Sequence, residues 1–259
     1  MPTPSSSTHD VVLIGGGVMS ATLGVMLQKL EPTWSIALYE SLDQAGLESS
    51  DPWNNAGTGH AALCELNYAP AAADGTVSTA KALGINEQFQ VSRQFWATLV
   101  EEKKLKDAQW INPVPHMSLV FGDAHSKYLA ARNEAFKAEK LFERMQFSTD
   151  PEQIRQWAPL TMEGRDPSVP VAASWSPEGT DVDFGALTQN LVNYLVSQGI
   201  EVRYGQEVTN VTQESDKSWT IDVQNRLRKG DSSKIRAKFL FLGAGGGALH
   251  LLQKSGIKE

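Results

Sequence analysis

A glycine-rich turn between an apolar strand and a helix stands near the start of the chain. A buried strand is predicted over residues 10–14, three glycines follow at residues 15–17, and a helix is predicted over residues 18–30. A second predicted strand, over residues 35–39, leads to an acidic residue, Glu40. Strand, glycine turn, helix, strand and acid in this order predict a dinucleotide-binding unit.

Each residue type in this pattern has a physical role. Gly15 permits the tight turn, and Gly17 lets the backbone approach a pyrophosphate, which the positive end of the helix stabilises. Glu40 can accept hydrogen bonds from a ribose diol. Ser20 stands at the third glycine position of the pattern, where its small side chain still allows close packing of helix on strand. The alternative is an ordinary βαβ unit with a glycine turn, which does not explain three adjacent glycines.

Composition excludes several classes of protein. With 23 basic and 30 acidic residues, a net charge of −7 and no stripe of Lys or Arg, the chain is not expected to bind nucleic acid. Cys64, the only cysteine, allows neither an internal disulfide nor a thiolate metal site. Residues 11–27 are uncharged but short and glycine-rich for a membrane span, and residues 1–10 lack the basic residues of a signal peptide. We therefore expect a protein that is soluble or peripherally bound to a membrane.

Helical and extended patterns follow one another along the rest of the chain. Helices are predicted over residues 81–100, 126–141 and 184–197, and strands over residues 113–121, 200–204, 208–211, 219–223 and 238–242. Asp183 is expected to cap the third of these helices and Gly199 to end it. Four prolines make residues 158–180 a predicted loop-rich passage with short strands.

A second strand followed by glycines occurs near the end of the chain. A strand predicted to be buried, over residues 238–242, leads into a glycine-rich turn over residues 243–247 and then a helical start. This pattern fits either a second nucleotide-binding domain or a later strand of the first domain that brings another turn to the same cofactor. Because the chain stops twelve residues after Gly247, we favour the second interpretation.

Short runs spread along the whole chain carry a resemblance to one enzyme family. They include WNNAGTGH at residues 53–60, VPHMS at 114–118, GTDVDFG at 179–185 and FLGAGG at 241–246, besides residues 10–24, 48–50, 65–68, 93–96 and 157–160. On these runs, which occur in the same order, the chain resembles the N-terminal portion of the malate:quinone oxidoreductases.

The resemblance implies a fold, a cofactor and an activity. Members of this family are FAD enzymes, related to the D-amino-acid oxidase group, that oxidise (S)-malate to oxaloacetate and pass electrons to a membrane quinone. The expected fold class is α/β, with a Rossmann-like FAD-binding domain over residues 1–75 and 180–259 and an inserted, incomplete α+β substrate domain over residues 76–179. The expected location is cytoplasmic, peripheral on the inner face of the cytoplasmic membrane, with membrane contact through a part that this chain lacks.

Cofactor contacts are expected along several small and polar residues. Besides Gly15, Gly17 and Glu40, the resemblance points to Ser49, Ser50, Ala56, Gly57, Thr58, Gly59, Val208, Gly243, Ala244 and Gly245. Small residues there would let backbone N–H groups approach phosphate or the flavin edge. The alternative for residues 49–59 is a polar surface loop, and for Val208 an ordinary strand position.

Oxidation of malate needs a base for the hydroxyl proton and cations for two carboxylates. His60 and His116 are the candidate bases, although an isolated histidine is often structural, and the base can also lie outside this chain. His116 is expected to share a strand face with Ser118, and His9, His125 and His250 are expected to face solvent or to act as caps. Arg93 and Arg165 are the candidate carboxylate ligands, with a surface role as their alternative. No His, Cys, Asp and Glu spacing predicts a metal site.

Other functions remain open on the residues alone. A flavoprotein that oxidises another 2-hydroxy acid is the nearest, and an NAD-dependent dehydrogenase is favoured less. A third possibility is an inactive truncated fragment that binds nucleotide weakly or not at all.

Overall fold

The structure, a computed structural model, describes residues 8–106, 108–228 and 230–257. The polar tail before Thr8 lies outside these residues. The helices are α1 (Val18–Leu30), α2 (Ala80–Glu101), α3 (Asp123–Phe136), α4 (Pro151–Trp157), α5 (Phe184–Ser197) and α6 (Ala248–Lys254). The strands are β1 (Thr8–Ile14), β2 (Ile36–Tyr39), β3 (Ile111–Pro113), β4 (His116–Phe121), β5 (Gln146–Ser148), β6 (Val171–Ser176), β7 (Thr180–Val182), β8 (Glu201–Arg203), β9 (Gln206–Gln213), β10 (Trp219–Asn225) and β11 (Ser232–Leu242).

The described residues form two compact units. The first unit holds those up to Gly57, those of Lys103–Trp110 and those from Asp183 onward, and the second holds Thr58–Glu102 and Ile111–Val182. One predicted boundary, near residue 75, lies after the observed limit at Gly57. Residues 61–69 belong to the second unit because they hydrogen-bond to side chains of α2, β4 and α3. The other predicted boundary, near residue 180, lies close to the observed start of the first unit's last segment at Asp183. The assignment of FAD binding and substrate binding to separate domains stays a prediction.

A six-stranded sheet organises the first unit, in the order β8-β2-β1-β11-β10-β9. The pairs β8–β2, β2–β1 and β1–β11 are parallel, and β10 and β9 continue the sheet antiparallel. This is the α/β class that the sequence predicts. The carboxyl ends of β1, β2 and β11 therefore meet at one edge, where ligands bind in open α/β sheets.

Strand β1 is buried on both faces, which explains its uninterrupted apolar sequence. Val11 and Leu13 pack with β2 residues and with Leu23 and Leu27 of α1. Val12 and Ile14 face the opposite way, into a cluster that includes residues of β9, β10, β11 and α6. Since successive side chains of a strand alternate, only a run of apolar residues satisfies both clusters.

Helix α1 begins and ends as the sequence predicts, and it packs on α5. Gly24 lies where a Cβ atom would come within 2.9 Å of Leu195 Cδ1 and 3.0 Å of Leu13 Cδ1. Tyr194 of α5 donates a hydrogen bond to Gln28 over 2.9 Å. Helix α5 also keeps its predicted bounds, because Asp183 accepts a hydrogen bond from the Ala186 N–H and caps it.

The second unit contains a three-stranded antiparallel sheet in the order β4-β6-β5, and a separate pair, β3 with β7. On one face of the larger sheet Val120 and Ala172 pack with Leu129 of α3. On the other, Ala173 and its neighbours pack with Ile154 of α4. The predicted alternation of β4 is confirmed, since His116 and Ser118 are buried on one face and Met117 and Leu119 belong to the cluster on the other.

Three predicted elements differ from the structure. The strand expected over residues 113–121 is two strands, β3 and β4, because they pair with different partners, β7 and β6. The helix expected over residues 126–141 ends at Phe136. The strand expected to be buried over residues 238–242 starts at Ser232, pairs with both β1 and β10, and leaves Phe239 53% exposed.

Among the described residues, no helix is both long enough and apolar enough to cross a membrane.

Substitution of Gly24 by Val should destabilise the first unit by about 1–3 kcal/mol, because the added atoms meet two fully buried leucines. The matched control is Gly84→Val on α2, where a Cβ atom has no neighbour within 4 Å, so little change is expected. Urea unfolding followed by circular dichroism measures both. Equal stabilities of the two variants would contradict the packing described here.

Asp10 should contribute stability that depends on pH. It accepts hydrogen bonds from Lys238 over 2.7 Å and from the Ser35 N–H over 2.8 Å, and these bonds, Lys238 first, lower its pKa from 3.8 to about 2. Because the folded-state pKa is the lower one, the stabilisation is complete above pH 4 and is lost as the pH falls towards 2.

The variant Asp10→Asn should therefore be less stable than the wild type at pH 7, by about 1 kcal/mol or less for a pair near the surface. The difference in unfolding free energy should shrink between pH 4 and pH 2. Lys238→Gln, which removes the largest cause but keeps the bonds from Ser35, should lose part of this pH dependence. A difference that stays constant with pH would show that Asp10 acts in another way.

Candidate functional site

A cleft of about 410 Å³ opens in the first unit at the carboxyl ends of β1, β2 and β11. The turns that follow these three strands line it, together with the start of β9 and the polar face of α6. Its lining includes Ile14–Gly17, Tyr39–Leu42, Gly46–Ser50, Gln206–Thr209, Arg226, Gly243–Gly247, His250, Leu251 and Lys254. This volume is within the range of small-molecule and cofactor sites.

Two glycine turns meet at the base of the cleft. Gly15 has a φ of +92°, and a Cβ atom on it would lie 2.5 Å from the carbonyl oxygen of Gly243. The Gly15 N–H donates to the Tyr39 carbonyl and the Gly243 N–H to the Ile14 carbonyl, each over 2.8 Å. The structure thus brings the second glycine turn beside the first within one unit, in agreement with the favoured interpretation of residues 243–247.

The N-terminus of α1 lies at this edge of the cleft, which Gly17 lines. Gly17 is the N-cap residue and provides no side-chain cap, and the first turn carries no acidic residue. Ser50 is buried, and its hydroxyl oxygen accepts a hydrogen bond from the Val18 N–H over 3.0 Å. No carboxylate of the first turn neutralises the positive end of the helix, so this end can attract an anion.

Glu40 is buried at the end of β2 and organises both neighbouring turns. Its Oε2 accepts from the Gly16 N–H over 2.5 Å, and its Oε1 accepts from the Leu42 N–H over 2.7 Å and the Ser41 hydroxyl over 3.0 Å. A carboxylate has about four lone-pair sites, so Oε2 retains one for another donor. A ribose hydroxyl has the chemistry to use it.

The structure explains why Ser20 can stand at the third glycine position of the dinucleotide-binding pattern. It is fully buried, and its Oγ lies 2.1 Å from the place a Cβ atom on Gly243 would occupy. The serine is accommodated because the residue that faces it, in the second glycine turn, has no side chain.

The structure distributes the remaining cofactor candidates over both units. Ser49, Val208, Ala244 and Gly245 line the cleft with the residues already described. Ala56, Gly57, Thr58 and Gly59 do not line it. Gly59, in the second unit, has a packing reason of its own, since a Cβ atom there would meet Thr180 Oγ1 at 1.9 Å. A cofactor role for residues 56–59 stays a prediction.

His116 is held inside the second unit by both ring nitrogens. Nε2 lies 3.1 Å from the Thr180 carbonyl oxygen, and Nδ1 lies 3.8 Å from the Cys64 sulfur. Burial, with the charge of Glu65 as a smaller cause, raises the pKa of the Cys64 thiol to about 11, so this sulfur stays protonated near neutral pH. These contacts favour the structural interpretation of His116.

His60 has the opposite setting. Its side chain is 57% exposed, and its Nδ1 lies 3.6 Å from Oε1 of Glu65. A histidine with one nitrogen near a carboxylate and an accessible ring can take up a proton from a bound molecule. Of the two candidate bases, the geometry favours His60.

The two candidate arginines lie in different settings of the second unit. Arg93 is exposed on α2 and donates to the Gln90 side chain over 3.2 Å. Arg165 follows α4 and donates to the Val169 carbonyl over 2.5 Å, while its buried Nε has no partner among the described residues. Their roles stay predictions.

Sequence reasoning missed several cleft residues. Gly16 has no assigned role in the sequence pattern, which uses Gly15 and Gly17, although its N–H donates a hydrogen bond to Glu40. His250, expected at the surface or as a cap, is exposed and lines the cleft with Lys254 one turn later on α6 and with Arg226. The spacing of His250 and Lys254 after a glycine turn was the available signal; nothing in the sequence marked Arg226. His9, also expected at the surface, is buried.

No group of three or more His, Cys, Asp and Glu side chains that could hold a metal ion occurs in the part of the chain that the structure describes.

Similarity to known proteins shows the family of this chain. The family model for malate:quinone oxidoreductase matches residues 7–259. The chain belongs to the malate:quinone oxidoreductase family. It is 63% identical to the probable malate:quinone oxidoreductase of Micrococcus luteus over 261 residues and 58% identical to that of Neisseria gonorrhoeae over 250 residues. These alignments cover 100% and 96% of this chain but 53% and 51% of the relatives, so the chain spans about half their length.

Solved structures with little sequence similarity share the fold. Glycine oxidase from Geobacillus kaustophilus has a TM-score of 0.72 at 18% identity, over 96% of this chain and 58% of that one. The L-α-glycerophosphate oxidase of Mycoplasma pneumoniae, solved with FAD bound, has a TM-score of 0.67 at 14% identity, over 96% and 57%. The chain therefore shares its fold with these two oxidases.

The variant Gly243→Ala should destabilise the first unit by about 1–3 kcal/mol, because its methyl group meets Ser20 Oγ. Ser20→Gly in the same chain should recover part of this loss, since it removes the closest atom. A double-mutant cycle on urea unfolding measures the coupling. Additive effects of the two substitutions would contradict direct contact.

Proposed function

We propose that this chain carries the FAD site and part of the substrate machinery of an enzyme that oxidises (S)-malate to oxaloacetate and passes the electrons to a membrane quinone. The observation that carries the proposal is the cleft at the carboxyl ends of β1, β2 and β11, in a chain of this family. The whole protein's activity is inferred from the name of the family and of the curated relatives.

The residues of the cleft fit the ADP part of FAD. Gly15 permits the tight turn, and Gly17, the N-cap of α1, lines the cleft where a pyrophosphate would lie beside the positive end of the helix. Glu40 keeps a lone-pair site for a ribose hydroxyl. Ser49, Ser50, Val208, Gly243, Ala244 and Gly245 are further proposed cofactor contacts in the cleft. The bound FAD would supply the hydride acceptor for an alcohol.

The protein must remove the hydroxyl proton of malate and hold its two carboxylates. We propose that His60 accepts this proton, because its ring is accessible, whereas both nitrogens of His116 have partners inside the fold. Arg93 and Arg165 are the proposed carboxylate ligands, since a guanidinium can bind a carboxylate through two hydrogen bonds.

The quinone determines the proposed location. A quinone dissolved in the lipid bilayer can be reduced only by a protein that reaches the membrane surface. We therefore propose peripheral association with the inner face of the cytoplasmic membrane, through parts of the whole protein outside this chain.

The test uses the whole protein purified with its flavin. We expect flavin absorbance and reduction of a soluble quinone analogue that depends on malate. Glu40→Gln should weaken FAD binding at least tenfold, because the loss of a charged acceptor weakens its hydrogen bonds to the two turns and the ribose. The control Glu31→Gln, outside the cleft lining, should bind FAD as the wild type does.

Three results would contradict the proposal. They are a purified protein without flavin even after FAD is added, activity with lactate or another 2-hydroxy acid in preference to malate, and activity that requires NAD. Unchanged FAD affinity in Glu40→Gln would contradict the proposed role of Glu40 but not the rest of the proposal.

A further inference from the structure

Glu65 is an unusual carboxylate in the second unit. Its side chain is 19% exposed, and both carboxylate oxygens are buried without a hydrogen-bond donor among the described residues. Leaving a buried carboxylate unpaired costs free energy, so a neighbouring donor or cation is needed. Nδ1 of His60 lies 3.6 Å from Oε1, slightly beyond hydrogen-bond distance.

A buried cation interacts with the charge of Glu65. Arg132 of α3 is fully buried, its Nη2 donates to the Ala62 carbonyl over 3.1 Å, and its guanidinium lies 4.3 Å from the centre of the Phe136 ring. Burial lowers the pKa of Arg132, and Tyr128, Cys64 and, as the smallest of these causes, Glu65 act in the opposite direction. Arg132 thus compensates part of the charge of Glu65, whose carboxylate oxygens have no hydrogen-bond partner among the described residues.

The segment between His60 and Glu65 is fixed by side chains from three elements. Asn86 of α2 donates to the Ala61 carbonyl over 2.8 Å, and Ser118 of β4 donates to the Cys64 carbonyl over 2.7 Å. Arg132 holds Ala62, whose φ is +55°, a strained conformation for a residue other than glycine. This many fixed points keep the two side chains near each other.

We propose that Glu65 is a positioning residue that accepts a hydrogen bond from Nδ1–H of His60. This inference rests on the proposed function, in which His60 is the base. With its proton held on Nδ1, the neutral imidazole presents an unprotonated Nε2 to the substrate. Nε2 would accept the hydroxyl proton of malate as the C–O bond becomes a carbonyl, and bound FAD would supply the acceptor for the hydride from carbon. Distances such as 3.6 Å shorten when a substrate-bound site closes.

The first measurement reads the tautomer of His60 in the whole protein. With ¹⁵N-labelled histidine and assignment by loss of the signal in His60→Gln, we expect Nε2 of neutral His60 to show the shift of an unprotonated nitrogen. In Glu65→Gln the proton should move to Nε2. Glu134→Gln, a surface carboxylate on α3, is the control and should change nothing. An unchanged tautomer in Glu65→Gln would overturn the inference, whether or not malate is the substrate.

The second measurement reads catalysis with malate and a quinone analogue. Glu65→Gln should lower kcat about 10–100-fold with little change in KM, as for other residues that orient a reacting group. His60→Ala should lose about 10²–10⁴-fold and regain activity when imidazole is added to the buffer. The double variant should be no slower than His60→Ala, because Glu65 acts only through that ring.

Two further results separate the possible failures. If Glu65→Gln does not fold, Glu65→Asp, which keeps the charge, replaces it in both measurements and should retain the tautomer and part of the rate. If the wild type does not oxidise malate, the proposed function fails while the tautomer still decides the role of Glu65. Additive losses in the double variant would overturn the inference.

Discussion

The close approach of two backbone turns, at Gly15 and Gly243, is the constraint on which the first unit depends. Strands β1 and β11 are parallel neighbours, so both must turn away at the same edge of the sheet. The 2.5 Å between a Cβ atom on Gly15 and the Gly243 carbonyl oxygen leaves no room for a side chain there. Because the turns are this tight, the N-terminus of α1 and the end of β2 open into one cleft.

The second unit depends on a different kind of interaction, a set of polar side chains inside its fold. Arg132, Asn86, Ser118 and Tyr128 each donate to a backbone carbonyl between Ala61 and Ala69. Carbonyls buried without donors would destabilise an irregular segment, so these donors allow residues 59–65 to be ordered without regular structure before the short 3-10 helix Leu66–Tyr68. The strain at Ala62 is maintained by the same contacts.

Local patterns explain why much of the first unit could be predicted. The signals for α1 and α5 lie within their own sequences: a glycine turn, an apolar stripe and a capping Asp183. The meeting of the two glycine turns was also predictable, from the rule that parallel strands share an edge. The length of β11 was not predictable, because residues 232–235 pair only with β10, and the polar residues 232–234 are exposed.

The candidate site shows the same division between local and distant information. Glu40 follows its strand directly, so sequence order reveals it. The distinction between His60 and His116 depends on Thr180, which is 64 residues from His116 in the chain, and on the burial of a carboxylate. Arg132 is 70 residues from the carbonyl that it holds. Such pairings follow from tertiary packing, which no spacing rule within one segment can express.

Each unit contains a carboxylate that its own fold prepares for one task. In the first, Glu40 already accepts three hydrogen bonds from its own turns, so a ligand would meet a carboxylate whose orientation is fixed. In the second, Glu65 has a compensating cation but no donor, and its oxygens are free to orient His60. The same functional group therefore serves two purposes, and the difference lies in the number of backbone N–H groups that each fold directs towards it. A carboxylate that already accepts several hydrogen bonds has a fixed orientation, whereas one that lacks donors determines where a neighbouring proton resides.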